Sequence, residues 1–347
     1  MSARPLTPGR LAVGLLPWAA LALLAGVAAL LAGPAPLDLW HALAAGPLAP
    51  PDDVDAAVLW HLRMPRVAMG LVLGGGLAGV GVVFQAMLRN PLADPYVLGV
   101  SGGAALGGAV GLVALPLLPA VVATGGVVQL CAFGGALLST MLLWRLARGT
   151  TGASALVILL GGTVFNAFAA AAILLLEALA PAERAQAILF WLMGSLRVEL
   201  LPGSTLELAA AIVVVSLLVL ARKSPALNAL ALGDAGAAAV GVDVAALRRT
   251  LLLAACAIVG AAVSVGGLIG FVGLVVPHVL RLMLGPDHRR LLPTAVLAGA
   301  AFLALCDAGT RLLFTPLGTD LPVGAVTAGL GGPLFLYLLW RERERLV

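Results

Sequence analysis

The 347-residue sequence has little charge, few aromatic residues and very little cysteine. Asp, Glu, Lys and Arg make up 10% of it and apolar residues 62%, whereas soluble proteins have about 25% charged and about 50% apolar residues. This composition excludes the ordinary soluble and disordered classes. The aromatic content of 5% and the lack of alternating polar residues exclude a β-barrel. The three cysteines lie in or beside apolar runs without paired spacing, so they predict neither a disulfide nor a metal site.

Long apolar runs dominate the sequence instead. In lipid, every backbone N–H and C=O must be satisfied within its own segment, so each run predicts a transmembrane helix. The sequence therefore predicts one all-α, polytopic membrane domain over residues 1–347, with about ten helices. The predicted spans cover residues 11–32, 67–86, 98–115, 120–143, 155–179, 205–221, 250–265, 268–284, 291–306 and 321–340.

Two pairs of these runs are separated by very little sequence. Only Pro116 and Pro119 divide the third run from the fourth, and only Gly266 and Gly267 divide the seventh from the eighth. A count of long windows would therefore give eight spans. Cytoplasmic loops retain Lys and Arg, and with ten spans and an inner N-terminus fifteen of the twenty basic residues lie inside. We therefore predict ten spans with both termini cytoplasmic.

Catalytic and nucleotide-binding motifs are missing. The only lysine, Lys223, does not follow the glycine pattern of a phosphate-binding loop, and the four histidines show no metal-ligand spacing. We expect no enzyme activity, no metal and no cofactor in this chain. Ion-coupled carriers usually keep ionisable residues inside their spans, and these spans are nearly free of them. A transporter powered by a partner is favoured, while an ion-gradient-driven secondary transporter and a membrane scaffold remain alternatives.

The longest inner loop, residues 222–249, is too polar and too often interrupted by glycine to span a membrane. Asp234 follows Gly233 in a position to cap a short helix, and Gly241 suits the left-handed residue that ends it. A second short helix is expected from Val244 to Arg248. Such short helices gain most of their stability by docking into a groove, so this loop predicts a contact with a cytoplasmic partner.

Two other segments carry functional signals. In the inner segment after Arg89, two prolines stop helices and Asn90 can cap an exposed helix end. On the outer side, Arg63, Arg66 and Arg311 are three of only five arginines in an otherwise acidic layer. We interpret these three arginines as a basic contact point for a partner protein.

Several stretches of the sequence form one recognisable pattern: Arg63-Met-Pro-Arg66, Gly79 to Gln85, Arg89-Asn-Pro-Leu-Ala-Asp-Pro to Leu98-Gly-Val-Ser, Leu232-Gly-Asp with Val240-Gly-Val, Gly270 to His278 with Arg281, Asp287-His-Arg-Arg-Leu-Leu-Pro293 and Leu321-Pro-Val-Gly-Ala-Val-Thr. This pattern resembles the FecCD-type permeases of ABC importers for iron chelates, haem and cobalamin. The resemblance extends over most of the chain in the expected order. One departure is Ala235-Gly236-Ala237, where the family usually has acidic or bulky residues.

The resemblance implies a type II ABC importer permease in a bacterial inner membrane. It implies a homodimer that works with two cytoplasmic ATPase subunits, which use ATP and Mg, and a periplasmic binding protein. By similarity, the loop around Gly233, Asp234 and Gly241 couples to the ATPase. The charge of Arg63, Arg66 and Arg311 predicts that these arginines dock the binding protein. The inner gate is expected at Asn90, Leu92, Thr150, Thr151 and Ser154. The pathway is expected along the fifth span, which carries Asn166, the tenth span and an outer helix near residues 183 to 190.

An isolated Asn such as Asn166 more often bridges two helices than binds a substrate, so both roles stay open for it. The expected mechanism is alternating access driven by ATP binding and hydrolysis. An iron chelate is the first expectation for the cargo, followed by haem and cobalamin.

Overall fold

A computed structural model describes residues 7–34, 37–50, 52–96, 98–117, 126–147, 154–197, 201, 203–319 and 321–346, and the regular structure in these ranges is helical throughout. The α-helices are α1 (Pro8–Leu31), α2 (Leu39–Ala45), α3 (Val54–Ala57), α4 (Met64–Met87), α5 (Val100–Ala114), α6 (Val127–Ala147), α7 (Ser154–Leu179), α8 (Ala182–Leu192), α9 (Gly203–Arg222), α10 (Ser224–Leu230), α11 (Asp234–Ala239), α12 (Val244–Gly266), α13 (Val272–Leu284), α14 (His288–Leu317) and α15 (Val323–Leu346). A π-helical segment, Val58–Arg63, leads into α4, and a 3-10 turn, Leu115–Leu117, ends α5.

The ten predicted apolar runs correspond to ten of these helices. Eight described helices are long and apolar enough to cross a membrane, and the shorter apolar helices Val272–Leu284 and Val323–Leu338 complete the set. The close pair of runs around Gly266 and Gly267 forms two helices, as predicted, because Gly267 has a positive φ of 66° and ends α12. The all-α membrane fold is therefore confirmed.

Helix α4 lies at the centre of the bundle, and its glycines explain why. It packs against α14, α13, α12 and α9. A Cβ atom at Gly74 would collide with the backbone of Gly299 on α14, and one at Gly81 would collide with the backbone of Gly273 on α13. Small residues allow such close backbone contact, and most of α4 is buried as a result.

The segment between α12 and α13 interrupts the helical structure inside the protein. Just before it, the last carbonyl of α12, that of Gly266, accepts from the Ser195 N–H at 2.8 Å, so a neighbouring segment of the protein packs against this helix end. Phe271 enters α13 with a positive φ of 67°, a conformation that is costly for a bulky residue, and its ring lies against Gly331 of α15. Non-helical backbone is tolerated at this position because protein surrounds it.

Candidate functional site

The polar loop between α9 and α12 folds into two short helices, α10 and α11, which we call the inner projection (residues 224–241). Gly241 ends α11 with a φ of 85°. Its N–H donates to the Ala238 carbonyl at 3.0 Å, and the Val242 N–H donates to the Ala237 carbonyl at 3.0 Å. This pair of bonds is a Schellman motif, which requires a left-handed residue. The conformation predicted for Gly241 is confirmed.

Asp234 does not cap α11, contrary to the prediction. Gly233, with a φ of 91°, is the N-cap residue, and Asp234 is the first residue of the helix. The Asp234 carboxylate instead accepts a hydrogen bond from the Arg248 guanidinium at 2.9 Å. This ion pair ties the start of α11 to the first turns of the membrane helix α12.

The prediction of a separate short helix from Val244 to Arg248 is also wrong. Asp243 caps that segment by accepting from the Ala246 N–H at 2.9 Å, and the helix continues without a break to Gly266. The second short helix is α10, which the sequence reasoning missed. Its signal is Ser224-Pro225, because proline is favoured in the first turn of a helix.

Helix α10 is anchored firmly to the bundle. Leu227 and Leu230 are completely buried. The Asn228 side-chain amide donates to the Asp287 carboxylate at 2.7 Å. The side-chain oxygen of Asn228 accepts from the backbone N–H of His288 at 2.9 Å. Hydrogen bonds from Arg289 and Asn228 lower the pKa of Asp287 to about 2, so this carboxylate is charged at neutral pH. Asn228 was not predicted, since only the folded chain brings it to the N-terminus of α14.

The inner segment after α4 is a compact turn beside the inner projection. The Asn90 side chain accepts from the Leu92 N–H at 2.9 Å, so Asn90 stabilises the turn that presents exposed Leu92. Arg89 has a positive φ of 50°, and its guanidinium lies close to Gly233. The predicted gate turn and the predicted coupling loop therefore adjoin.

The side chains of Asp94 and Asn166 form hydrogen bonds with the backbone of Tyr96, at the far end of the same inner segment. The Asp94 carboxylate accepts from the Tyr96 N–H at 2.8 Å, and burial raises the pKa of Asp94 to about 6. The Asn166 amide on α7 donates to the Tyr96 carbonyl at 2.5 Å. Asn166 thus bridges α7 to the inner turn, as isolated asparagines in membrane helices commonly do.

The other predicted gate residues cannot be placed. Thr150 and Thr151 lie outside the described residues. Ser154 begins α7, but its side chain also lies outside the described part of the chain. Their gate role therefore stays a prediction.

The three outer arginines come together around Asp307, and we call these four residues the outer arginine cluster. Arg66 donates to the Asp307 carboxylate at 3.0 Å and 3.2 Å, and Arg311 lies 3.1 Å from the same carboxylate. Arg63 donates to the carbonyls of Leu30 and Leu31 at 2.9 Å and 3.2 Å. Arg311 donates to the Ala32 carbonyl at 2.8 Å, so two guanidiniums cap the end of α1.

The sequence predicts that all three arginines are exposed to a partner protein, and this prediction is wrong for two of them. Arg63 and Arg311 are only 6% and 8% exposed, and Asp307 is 1% exposed. The Arg66 side chain keeps 19% of its surface accessible. A docking protein would therefore meet Arg66 directly, while Arg63 and Arg311 hold α1, α4 and α14 together. Contact with a partner stays a prediction.

Helix α7 shows a broad apolar face that the described chain leaves uncovered. Leu160, Val164 and Phe168 lie about one turn apart, and Val164 and Phe168 are 70% and 61% exposed. Thr163 is exposed on the same helix, and its hydroxyl donates to the Leu160 carbonyl at 2.8 Å. This is the fifth predicted span, which the sequence analysis assigned to the transport pathway.

Comparison with known proteins agrees with this architecture. The sequence profile described as the FecCD transport family matches residues 20–341. The hemin transport system permease protein HmuU of Yersinia pestis is 40% identical over 296 residues, which cover 83% of this chain and 85% of HmuU. The cobalamin import system permease protein BtuC of Halobacterium salinarum is 41% identical over 290 residues, covering 83% and 74% of the two chains.

A third relative and a solved structure extend the comparison. A Helicobacter pylori iron chelatin transport system permease protein is 38% identical over 292 residues, covering 83% of this chain and 84% of its own. The structure of an inward-facing metal-chelate type ABC transporter superposes with a TM-score of 0.80 at 27% identity, covering 95% of this chain and 99% of that one. The ten apolar helices, the position of the inner projection and these matches together show that the chain is a multi-pass membrane permease of the FecCD transport family.

Proposed function

We propose that this chain is the permease subunit of an ATP-driven importer and that its inner projection transmits ATP hydrolysis in a partner to the membrane helices. The observation that carries this proposal is the anchoring of the projection. Buried Leu227 and Leu230 and the Asn228 hydrogen bonds fix α10 to α14, and the Asp234 to Arg248 ion pair fixes α11 to α12. A force applied to the projection therefore reaches two membrane helices.

The proposed partners follow from the same surfaces. A pair of cytoplasmic ATPase subunits, which use ATP and Mg²⁺, receives the two projections of a homodimer. The exposed face of α7 supports an assembly in which this helix faces a pathway or a second copy. A periplasmic binding protein docks on the outer side near Arg66. This arrangement places both termini in the cytoplasm of a bacterium, with the permease in the inner membrane.

The proposed cargo is a metal chelate. The relatives named above are permeases for hemin, cobalamin and iron chelatin, which are large organic molecules that hold a metal ion. An iron chelate is our first choice, with haem and cobalamin next. The cargo crosses by alternating access, and the ATPase must bind the inward and outward states with different affinity to shift their populations.

Reconstitution into proteoliposomes tests this function. The full complex of permease, ATPase and binding protein is loaded with ATP inside the vesicles, and uptake of radiolabelled ferric siderophore, haem and cobalamin is measured separately. ATP-dependent uptake of one cargo is expected, and it should persist when ionophores collapse all ion gradients. Uptake that needs a gradient and ignores ATP would establish the secondary transporter instead.

A further inference from the structure

A groove lies between α6 and α12 at one end of the bundle. Toward the middle of the bundle these helices pack tightly. A Cβ atom added at Gly260 of α12 would lie only 3.0 Å from the Phe133 ring of α6. One turn further, Thr140 Oγ1 lies 2.9 Å from Cys256 Sγ. Beyond this contact the helices leave a cavity of about 220 Å³ between them.

The groove has an apolar floor and a basic rim. Leu137 and Leu252 line its floor, and exposed Met141 and Leu253 extend the apolar surface outward. Arg145 from α6 and Arg249 from α12 lie at its mouth. Two positive charges from different helices therefore converge on one apolar opening.

Neither rim arginine has an acidic partner among the described residues. The contrast with the neighbouring Arg248 is direct, since Arg248 pairs with Asp234 in the inner projection. Arg145 and Arg249 are instead exposed. An anion at this opening is attracted by both guanidiniums, so the rim favours a negatively charged ligand.

The groove opens at the level of one membrane surface. Arg249 is in the second turn of α12, which begins directly after the inner projection, and Arg145 is in the last turn of α6. Trp144 also lines the groove, and tryptophan is typical of the boundary between headgroups and acyl chains. The opening therefore lies where lipid headgroups meet the apolar core, on the same side as the inner projection.

We propose that this groove binds the headgroup of an anionic phospholipid from the leaflet on the side of the inner projection. The lipid phosphate lies between Arg145 and Arg249, and the acyl chains follow the exposed side chains of Met141 and Leu253. Basic pockets between transmembrane helices are a known means of binding anionic headgroups. Such a ligand joins α6 to α12, the helix that carries the Asp234 to Arg248 contact.

Native mass spectrometry of the complete transporter tests the proposal. The complex is mixed with equal amounts of phosphatidylglycerol and phosphatidylcholine, and the retained lipids are counted. The wild type is expected to retain phosphatidylglycerol preferentially. Each basic residue near a membrane surface contributes about five-fold in affinity, so the double variant Arg145→Gln with Arg249→Gln should lose about 25-fold in apparent affinity for one bound phosphatidylglycerol.

A matched control removes two other exposed arginines. Arg222 ends α9 and Arg290 lies in the first turn of α14, on the same side of the bundle but outside the groove. The double variant Arg222→Gln with Arg290→Gln has the same net charge as the test variant and should keep the bound lipid. Equal loss in both variants would reduce the effect to general surface charge and overturn the proposed site.

Fluorescence quenching locates the lipid independently. Brominated phosphatidylglycerol should quench a component of the tryptophan emission that the Trp144→Phe variant lacks, whereas brominated phosphatidylcholine should not. The same measurement with the permease alone tests for coverage of the groove by the ATPase. Quenching that appears only without the ATPase, or an inorganic phosphate that competes as well as the lipid, would overturn the proposal.

Discussion

At the scale of single residues, backbone conformation matters more than side-chain contact in the inner projection. Gly241 has a φ of 85°, and no atom lies within 4 Å of the position that a Cβ would occupy. Space is therefore available for a side chain, and only the left-handed conformation opposes one. The Schellman bonds at Ala237 and Ala238 depend on that conformation.

Replacing Gly241 by Val should cost about 1 to 2 kcal/mol at this turn, because a β-branched residue is strained there. The permease should still fold, since α11 contributes little to the core, but ATP hydrolysis should be uncoupled from transport. The measurement is the ratio of cargo transported to ATP hydrolysed in proteoliposomes. Gly241→Asn is the control, because Asn tolerates the left-handed region, and it should retain most of the ratio. A wild-type ratio in Gly241→Val would remove the coupling role.

Asp94 gives a prediction about pH. Burial raises its pKa from 3.8 to about 6, so between these values the folded state holds a proton that the unfolded state has released. The contribution of Asp94 to the free energy of unfolding should therefore fall as the pH rises from about 4 to about 6, by at most about 3 kcal/mol, and remain lower above that range. It is measured as the difference in stability between the wild type and a variant at Asp94.

Asp94→Asn should remove this dependence, because the amide oxygen can still accept from the Tyr96 N–H and carries no charge. Thermal unfolding of the variant and the wild type in detergent across pH 4 to 8 provides the measurement. The variant should be the more stable of the two at pH 8. A difference in stability between the two proteins that stays constant from pH 4 to 8 would show that Asp94 is not the titrating group.

At the scale of elements, the outer arginine cluster joins three helices through one carboxylate. Asp307 on α14 pairs with Arg66 on α4 and Arg311 on α14, while Arg63 and Arg311 also bind the last carbonyls of α1. A buried carboxylate between guanidiniums is costly to remove, because the positive charges are left without compensation.

Asp307→Asn should therefore lower stability by about 3 to 5 kcal/mol, although the two side chains have nearly the same shape. Thermal unfolding in detergent measures the loss, and release of α1 can be followed by limited proteolysis near Gly33. Glu183→Gln is the matched control, since Glu183 is an exposed acid at the start of α8 and should have little effect. Equal stability of Asp307→Asn and wild type would show that the cluster does not hold α1.

The elements also show what the sequence can predict. Apolar runs and helix-breaking residues such as Gly267 predict the ten helices, because lipid forces each run to satisfy its own backbone. Local signals predict the conformation of Gly241. The ion pair of Asp234 with Arg248 and the hydrogen bonds of Asn228 depend on residues that meet only in the folded chain, so the sequence alone placed Asp234 wrongly and missed Asn228. Burial of Arg63 was unpredicted for the same reason, since its partners lie more than 30 residues away.

At the scale of the whole molecule, the proposed homodimer gives a prediction for the uncovered face of α7, the helix that the family resemblance assigns to the pathway. A large apolar side chain at the centre of an interface contributes much of the binding energy. Phe168→Ala should therefore raise the dimer dissociation constant about ten-fold or more, as measured by the dilution dependence of the mass in detergent. Leu23→Ala on α1 is the control, because Leu23 is 69% exposed, comparable to 61% for Phe168. Equal weakening by both substitutions, or none by either, would place the dimer contact on another helix.

The glycine contacts of α4 have a consequence for measuring motion in this protein. Where backbone meets backbone, as at Gly74 with Gly299 and Gly81 with Gly273, no rotamer can change to absorb a displacement. Helix α4 is thus a fixed reference frame for spectroscopic distances. A spin label at exposed Leu62, next to the outer end of α4, can be paired with one at exposed Leu232 in the inner projection. Any change in their separation during an ATP cycle then reports movement of the projection itself.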